Sequence, residues 1–199
     1  MSYKLKEKSD LNTNLTDNEL WEAFKKGDSV LLGELFLRYY KPLFQYGSKS
    51  TNDPDILEDC IQELFLELWQ NTSQTEVQYI RGYLFKAFKY KLHRVLARKN
   101  KFPHQEIDDQ FHFELSHDTL IINEEESREQ KERVLTAFSK LSNRQKEIIY
   151  LKYYQQLNYD EISEVMNINY QTARNLLHKS ILSLRKLITI VAPIGWMLN

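Results

Sequence analysis

The sequence of 199 residues is poor in the residues that break or turn a chain, with five glycines and four prolines. An average protein devotes roughly 12% of its residues to these two types. Sandwiches and barrels of short strands need a turn about every ten residues, and the residues for those turns are missing here. The composition therefore excludes such folds and predicts an all-α protein of long helices.

Cysteine is almost absent, and Cys60 is the single one. One cysteine excludes a disulfide framework and a metal site built from several thiolates, which fits a reducing compartment. The first twenty residues carry no charged-then-apolar leader, so a cytoplasmic location is expected. The apolar stretch 187–198 is broken by Pro193 and Gly195 and is shorter than the ~20 residues that a membrane span needs.

Enzyme motifs are missing too. The sequence contains no Walker loop and no GxGxxG, GxSxG, HExxH or CxxC pattern. Its five histidines show no metal-ligand spacing. We therefore expect no catalytic activity, no cofactor, no metal and no small-molecule substrate.

Charge is distributed unevenly, although the net charge is only −1. Residues 81–101 hold eight Lys or Arg and no acid, whereas residues 105–126 hold eight Asp or Glu and no Lys or Arg. A polyanion responds to the local sign of charge rather than to the total. The basic block is thus a candidate contact for nucleic acid.

Helix start signals divide the chain into two helical blocks. Capping boxes are predicted at Thr16, Ser142 and Asn158, and Asp53-Pro54 is a further start signal. The periodicity is lost between residues 102 and 123, which we interpret as an acidic linker. The predicted organisation is an extension (1–14), a first helical domain (15–101), the linker (102–123), a second helical domain (124–188) and an apolar tail (189–199).

Residues 159–186 have the form of a helix-turn-helix, with a short helix, a three-residue turn and a longer helix. Four polar residues fall on one face of the second helix, namely Gln171, Arg174, Asn175 and His178. Arg can pair with guanine, and Gln or Asn with adenine, in the major groove. The alternative is an ordinary helical hairpin with a solvated polar face.

The basic block is interleaved with aromatic residues at positions 79, 83, 85, 88 and 90. Cations that track phosphates and rings that stack on unpaired bases are how single strands are bound. In a small bundle most such rings are core residues, so two or three of these five are expected to be buried.

An acidic helix over residues 54–70 carries Phe65, Leu66 and Trp69 beside its acids. These three cannot all point inward, and exposed apolar residues rimmed by charge are typical of a protein interface. The alternative is a solvated acidic face. A metal site is not expected, because the acids are spread along a helix.

Four segments in this order resemble the sigma-70 family of RNA polymerase, in particular its two-domain extracytoplasmic-function (ECF) type. Residues 58–69 (EDCIQELFLELW) resemble the region 2.2 signature, and residues 141–148 (LSNRQKEI) resemble the opening of region 4. Residues 157–162 (LNYDEI) and 172–174 (TAR) resemble the two helices of its helix-turn-helix.

This resemblance implies a transcription initiation factor with three binding surfaces. The core polymerase β′ subunit would be bound by Asp59, Gln62, Glu63, Leu66 and Trp69. The melted −10 strand would be bound by Tyr83, Lys86, Lys89, Tyr90, Arg94, Arg98 and Lys99. The −35 duplex would be bound by Tyr170, Gln171, Thr172, Arg174, Asn175, His178 and Lys179.

The resemblance also implies that region 4 contacts the polymerase β flap, that promoter DNA is melted, and that an anti-sigma factor is a partner. The chain departs from the family where Trp, Asn and Asp are common, since it has Tyr83, Tyr90 and Arg94 there. Two alternatives stay open: a helix-turn-helix regulator that binds no polymerase, and an anti-sigma or adaptor protein that uses its acidic faces for protein contact.

Overall fold

The computed structural model describes residues 15–28, 30–70, 77–99, 111–115 and 128–191. All regular secondary structure within these ranges is helical, which confirms the all-α prediction. The helices are α1 (Asp17–Lys25), α2 (Val30–Gly47), α3 (Pro54–Gln70), α4 (Ile80–Lys99), α5 (Arg128–Ser139), α6 (Asn143–Ile149), α7 (Tyr159–Val165) and α8 (Tyr170–Val191), with a π-helical turn at Tyr150–Tyr154.

Helices α1–α4 pack together as an N-terminal bundle. Its core is built from the apolar faces that the sequence periodicity predicts, with Leu35, Ile61 and Leu84 fully buried. Pro42 lies inside α2.

Local signals set the limits of α1 as predicted. The Thr16 hydroxyl accepts a hydrogen bond from the Glu19 amide, and the Glu19 carboxylate accepts one from the Thr16 amide. The helix ends before Gly27, whose φ of 108° lies in the left-handed region that glycine adopts without strain. Asn18 in α1 also accepts a hydrogen bond from the Ile80 amide at 3.1 Å, so α1 caps the start of α4.

Helices α5–α8 form a C-terminal bundle in which α8 packs on α5, α6 and α7. The predicted capping boxes at Ser142 and Asn158 are both present. The connection between α7 and α8 turns at Asn167, whose φ of 50° is one that asparagine tolerates better than most residues. Asn169 then accepts a hydrogen bond from the Thr172 amide at 2.7 Å and so caps α8.

The two bundles share one continuous apolar core, and their most extensive contact is between α4 and α7. Within the predicted linker, residues 111–115 are described, and Phe111 and Phe113 are buried.

The predicted extension (1–14), the rest of the predicted linker and residues 192–199 of the predicted tail lie outside the described residues. The domain limits therefore stay a prediction. In the part of the chain that the structure describes, no helix combines the length and apolar character needed to cross a membrane.

Candidate nucleic-acid and protein interfaces

The first three turns of α8 present the polar face that the sequence predicts. Ala173 and Leu177 are buried on the opposite side, against the rest of the C-terminal bundle. Gln171 and Asn175 lie one turn apart and are joined by a side-chain hydrogen bond of 3.2 Å. All seven predicted duplex-binding residues are exposed: Tyr170, Gln171, Thr172, Arg174, Asn175, His178 and Lys179.

A cleft beside this face is formed by α8, the start of α7 and the π-helical turn. Tyr153 and Tyr159 line one side, and Arg174, His178 and Leu182 line the other. The face of α8 is therefore open to a large ligand, with one cationic and several hydrogen-bonding side chains at its centre.

Helix α3 presents a mixed acidic and apolar face. The predicted polymerase-binding residues are all exposed along it: Asp59, Gln62, Glu63, Leu66 and Trp69. Leu66 is 59% exposed and Trp69 is 54% exposed, whereas Phe65 points inward. This agrees with the expectation that these three apolar side chains do not all point into the core.

A groove runs between this face and α2. Its floor includes Leu32, Gly33 and Phe36 of α2, and Leu66 and Trp69 lie along its α3 side. The Phe36 and Phe65 rings meet edge to face, with 5.2 Å between their centroids. An apolar groove beside a helix that also exposes acidic side chains is suited to a protein partner with apolar and basic side chains.

Lys91 of α4 pairs with two of the exposed acidic side chains of α3. Its ammonium group lies 3.0 Å from Glu63 Oε2 and 2.7 Å from Glu67 Oε1. The lysine side chain is 4% exposed, whereas the two glutamates remain 62% and 56% exposed. Burial alone lowers the pKa of Lys91, but the hydrogen bonds to Glu67 and Glu63 outweigh it, so its pKa is raised and it stays charged.

The basic helix α4 has two kinds of face. Phe85 and Phe88 are fully buried, which is the number of buried rings expected for this helix. Tyr83 and Lys86 are half-buried, and burial raises the pKa of Tyr83. The exposed members of the predicted strand-binding set are Tyr90, Arg94, Arg98 and Lys99; Lys99 forms an ion pair with Asp53 at 2.7 Å.

Lys89 does not lie with the exposed members of its predicted set. It is 8% exposed, and its ammonium group contacts both carboxylate oxygens of Glu147, at 2.9 and 3.1 Å. Glu147 belongs to α6, so this ion pair joins the two bundles. The structure therefore assigns Lys89 an internal partner, which sequence periodicity does not reveal.

Comparisons with known proteins identify the C-terminal bundle. Residues 131–184 match the family model for sigma-70, region 4. These residues form a sigma-70 region 4 domain. The match confirms the family that the sequence motifs resemble, and it includes the exposed face of α8. No curated protein sequence matches the chain.

Three solved structures match most of the chain at low sequence identity. A chain of the complex of CnrH with the cytosolic domain of CnrY is 17% identical with a TM-score of 0.55, and the match covers 86% of this chain and 96% of that one. A chain of the complex of the sigma factor RpoE with the anti-sigma factor NepR from Bartonella quintana is 16% identical with a TM-score of 0.49, covering 79% and 96%. A chain of the RsbN–BldN complex is 16% identical with a TM-score of 0.34, covering 84% and 98%. The CnrH likeness shows that the fold extends over both bundles.

Sequence reasoning missed the residues that connect the region 4 domain to the N-terminal bundle. They are Tyr46 of α2, Glu147 of α6, and Phe111 and Phe113 of the predicted linker. The one available signal was the Phe-His-Phe sequence inside an acidic run, where two aromatic residues are out of place unless they are buried.

Among the described residues, no three His, Cys, Asp or Glu side chains are grouped closely enough to hold a metal ion.

Proposed function

We propose that the chain is an ECF-type sigma factor, which binds core RNA polymerase and brings it to promoter DNA. The observation that carries this proposal is the region 4 domain, whose α8 face is exposed, in one chain with the exposed acidic and apolar face of α3. A regulator that only binds DNA has no use for the second surface.

The α8 face would enter the major groove of the −35 element. Side chains near the amino end of such a helix reach base edges, and Arg174 and Asn175 lie in its second turn. Lys179, on the next turn, suits a phosphate. The polymerase β flap would contact the same domain.

The groove between α2 and α3 would take the polymerase β′ subunit. Leu66 and Trp69 supply apolar area at its edge, and Asp59 and Glu63 supply charge that selects a basic partner. Large aromatic side chains at the centre of an interface contribute most of its binding energy.

The exposed part of α4 would hold the melted −10 strand. Tyr90 offers a ring for base stacking, and Arg94 and Arg98 follow it along the helix as contacts for phosphates. Because these contacts favour the unpaired strand over the duplex, binding shifts the promoter towards its melted form. The chain would act in the cytoplasm, where the polymerase is, and an anti-sigma factor would be a further partner.

A pull-down with purified core polymerase tests the proposal. The variant Asp59→Ala with Glu63→Ala is expected to lose polymerase binding and keep its helical circular dichroism, because both side chains are exposed and Glu67 remains as a partner for the buried Lys91. The matched control is Glu22→Ala with Glu114→Ala, which removes the same charge from exposed sites outside α3. Equal recovery of polymerase by both double variants would contradict the assignment of the α3 face.

A further inference from the structure

The two bundles are joined by a buried polar cluster of Tyr46, Lys89 and Glu147, which we call the latch. Glu147 is 0% exposed, and its carboxylate accepts hydrogen bonds from Lys89 and, at 2.5 Å, from the Tyr46 hydroxyl. Tyr46 and Lys89 belong to the N-terminal bundle and Glu147 to the region 4 domain. All three are buried where the two bundles meet.

A second contact of the same interface lies between α4 and α7. Gly82 is buried against α7, and a Cβ atom at this position would lie 3.1 Å from Glu161 Cα and 3.1 Å from Glu164 Oε2. Burial raises the pKa of Glu164 in α7, and the positive charge of Lys86 in α4 offsets part of this rise. Two cations of the predicted strand-binding set, Lys86 and Lys89, therefore face acids of the region 4 domain.

Residues 111–115 close one side of this interface. The Phe111 ring lies between Tyr46 of α2 and Tyr150 of the π-helical turn, with centroid distances of 5.4 and 5.6 Å. Phe113 contacts Tyr150 at 4.9 Å, and the His112 amide donates to the Lys49 carbonyl at 2.6 Å. The segment between the two bundles thus packs on both of them.

We propose that the latch holds the free chain closed, and that Glu147 is an internal competitor for the phosphate that Lys89 binds in the open chain. The closed state removes Lys89 from the strand-binding surface, and opening returns it. This inference rests on the proposed function only where it concerns the strand; the closure itself stands on the contacts.

The physics of buried charge makes the latch testable. Removing one partner of a buried ion pair leaves the other charge buried and uncompensated, which is strongly unfavourable, whereas replacing all partners with apolar residues is often neutral. In Glu147→Leu the remaining charge is the ammonium group of Lys89, and opening the interface exposes it to water. Glu147→Leu is therefore expected to open the chain, and the triple variant Tyr46→Phe, Lys89→Met, Glu147→Leu is expected to keep it closed.

Gly82→Leu provides a second, independent way to open the chain. Its side chain would project into α7, while leucine favours the helical conformation of α4 more than glycine does. This variant leaves all three latch residues in place, so it separates closure from the chemistry of the ion pair.

The experiment measures the distance between spin labels in the full chain. The labels are attached at Asp55→Cys and Lys186→Cys, both exposed and in different bundles, in a Cys60→Ala background. The chain with the unaltered latch and the triple variant should give a narrow distribution of distances between the labels. Glu147→Leu and Gly82→Leu should give a broader distribution, shifted to longer distances. In parallel, binding of a fluorescent 20-nucleotide single strand is measured for the two opened variants, both of which retain Lys89. If the closed state of the unaltered chain is favoured about tenfold over the open state, these variants should bind the strand about tenfold more tightly.

Unchanged distances in both opened variants, with helical circular dichroism retained, would overturn the latch whatever the chain does with DNA. Longer distances without tighter binding would overturn the role of Glu147 as a competitor. Failure of every variant to bind the strand would overturn the role of Glu147 as a competitor and would refute the strand site of the proposed function. The distances between the spin labels would then still test whether the latch closes the chain.

Discussion

Replacing glycine by alanine is expected to have opposite effects on stability at two positions of α2, Gly47 and Gly33. Gly47 is the last residue of the helix, and a Cβ atom there would lie 2.6 Å from Leu57 Cδ2 and 2.8 Å from Phe88 Cζ. Carbon atoms in contact prefer about 3.5–4.0 Å. Leu57 and Phe88 are 1% and 0% exposed, so neither has room to move aside without displacing other core residues.

Gly47→Ala is therefore expected to destabilise the N-terminal bundle. Forcing one methyl group into a packed core costs about 1–3 kcal/mol, and the better helix propensity of alanine returns less than about 1 kcal/mol. A net loss of about 1–2 kcal/mol corresponds to a drop in Tm of about 2–8 °C for a chain of this size. Thermal unfolding followed by circular dichroism measures it.

Gly33→Ala is the matched control. Gly33 lies in the same helix, is exposed, and has nothing within 4 Å of the added Cβ atom. Here the helix propensity acts alone, so the free energy of unfolding should rise by about 0.5–1 kcal/mol. A rise in Tm for both variants would refute the close approach of α2 to α3 and α4.

Three further predictions concern other parts of the chain. Arg174→Ala should weaken binding of a promoter duplex at particular upstream bases by about 1–3 kcal/mol, whereas Lys179→Ala should weaken binding of all duplexes alike. An equal loss on every sequence for Arg174→Ala would show that Arg174 contacts only phosphate. Burial raises the pKa of the Cys60 thiol to about 11, so this thiol should not react with a thiol reagent at pH 8 until denaturant is added. Prompt reaction of the folded chain would contradict the burial of Cys60. Ser142→Ala removes the cap of α6 and should lower the free energy of unfolding by about 1 kcal/mol, whereas Ser139→Ala should lower it little. A larger loss of stability for Ser139→Ala than for Ser142→Ala in urea unfolding would contradict the capping assignment.

Much of the fold follows from local sequence signals. The caps at Thr16, Ser142 and Asn158 involve residues three apart in the chain, so they can be recognised from the sequence without knowledge of the tertiary structure. The exposed face of α8 is equally local, because helical periodicity alone decides which of its residues share a side. The family match over residues 131–184 agrees with the predicted region 4 motifs.

Contacts between distant parts of the chain were not predictable in the same way. Lys89 looks like any other cation of a basic helix, and its burial depends on Glu147, which lies 58 positions later. Lys91 is buried for a similar reason, since its partners Glu63 and Glu67 belong to α3. A one-dimensional pattern assigns such residues to the solvated face, because it contains no information on which helix packs against which.

The proposal that this chain directs RNA polymerase to start sites is tested most directly by run-off transcription with purified core polymerase, with and without the chain. We expect discrete transcripts that require the chain and that disappear with the Asp59→Ala, Glu63→Ala variant. Binding of the chain to duplex DNA with no start-site transcription from the reconstituted enzyme would contradict it and would instead favour a helix-turn-helix regulator.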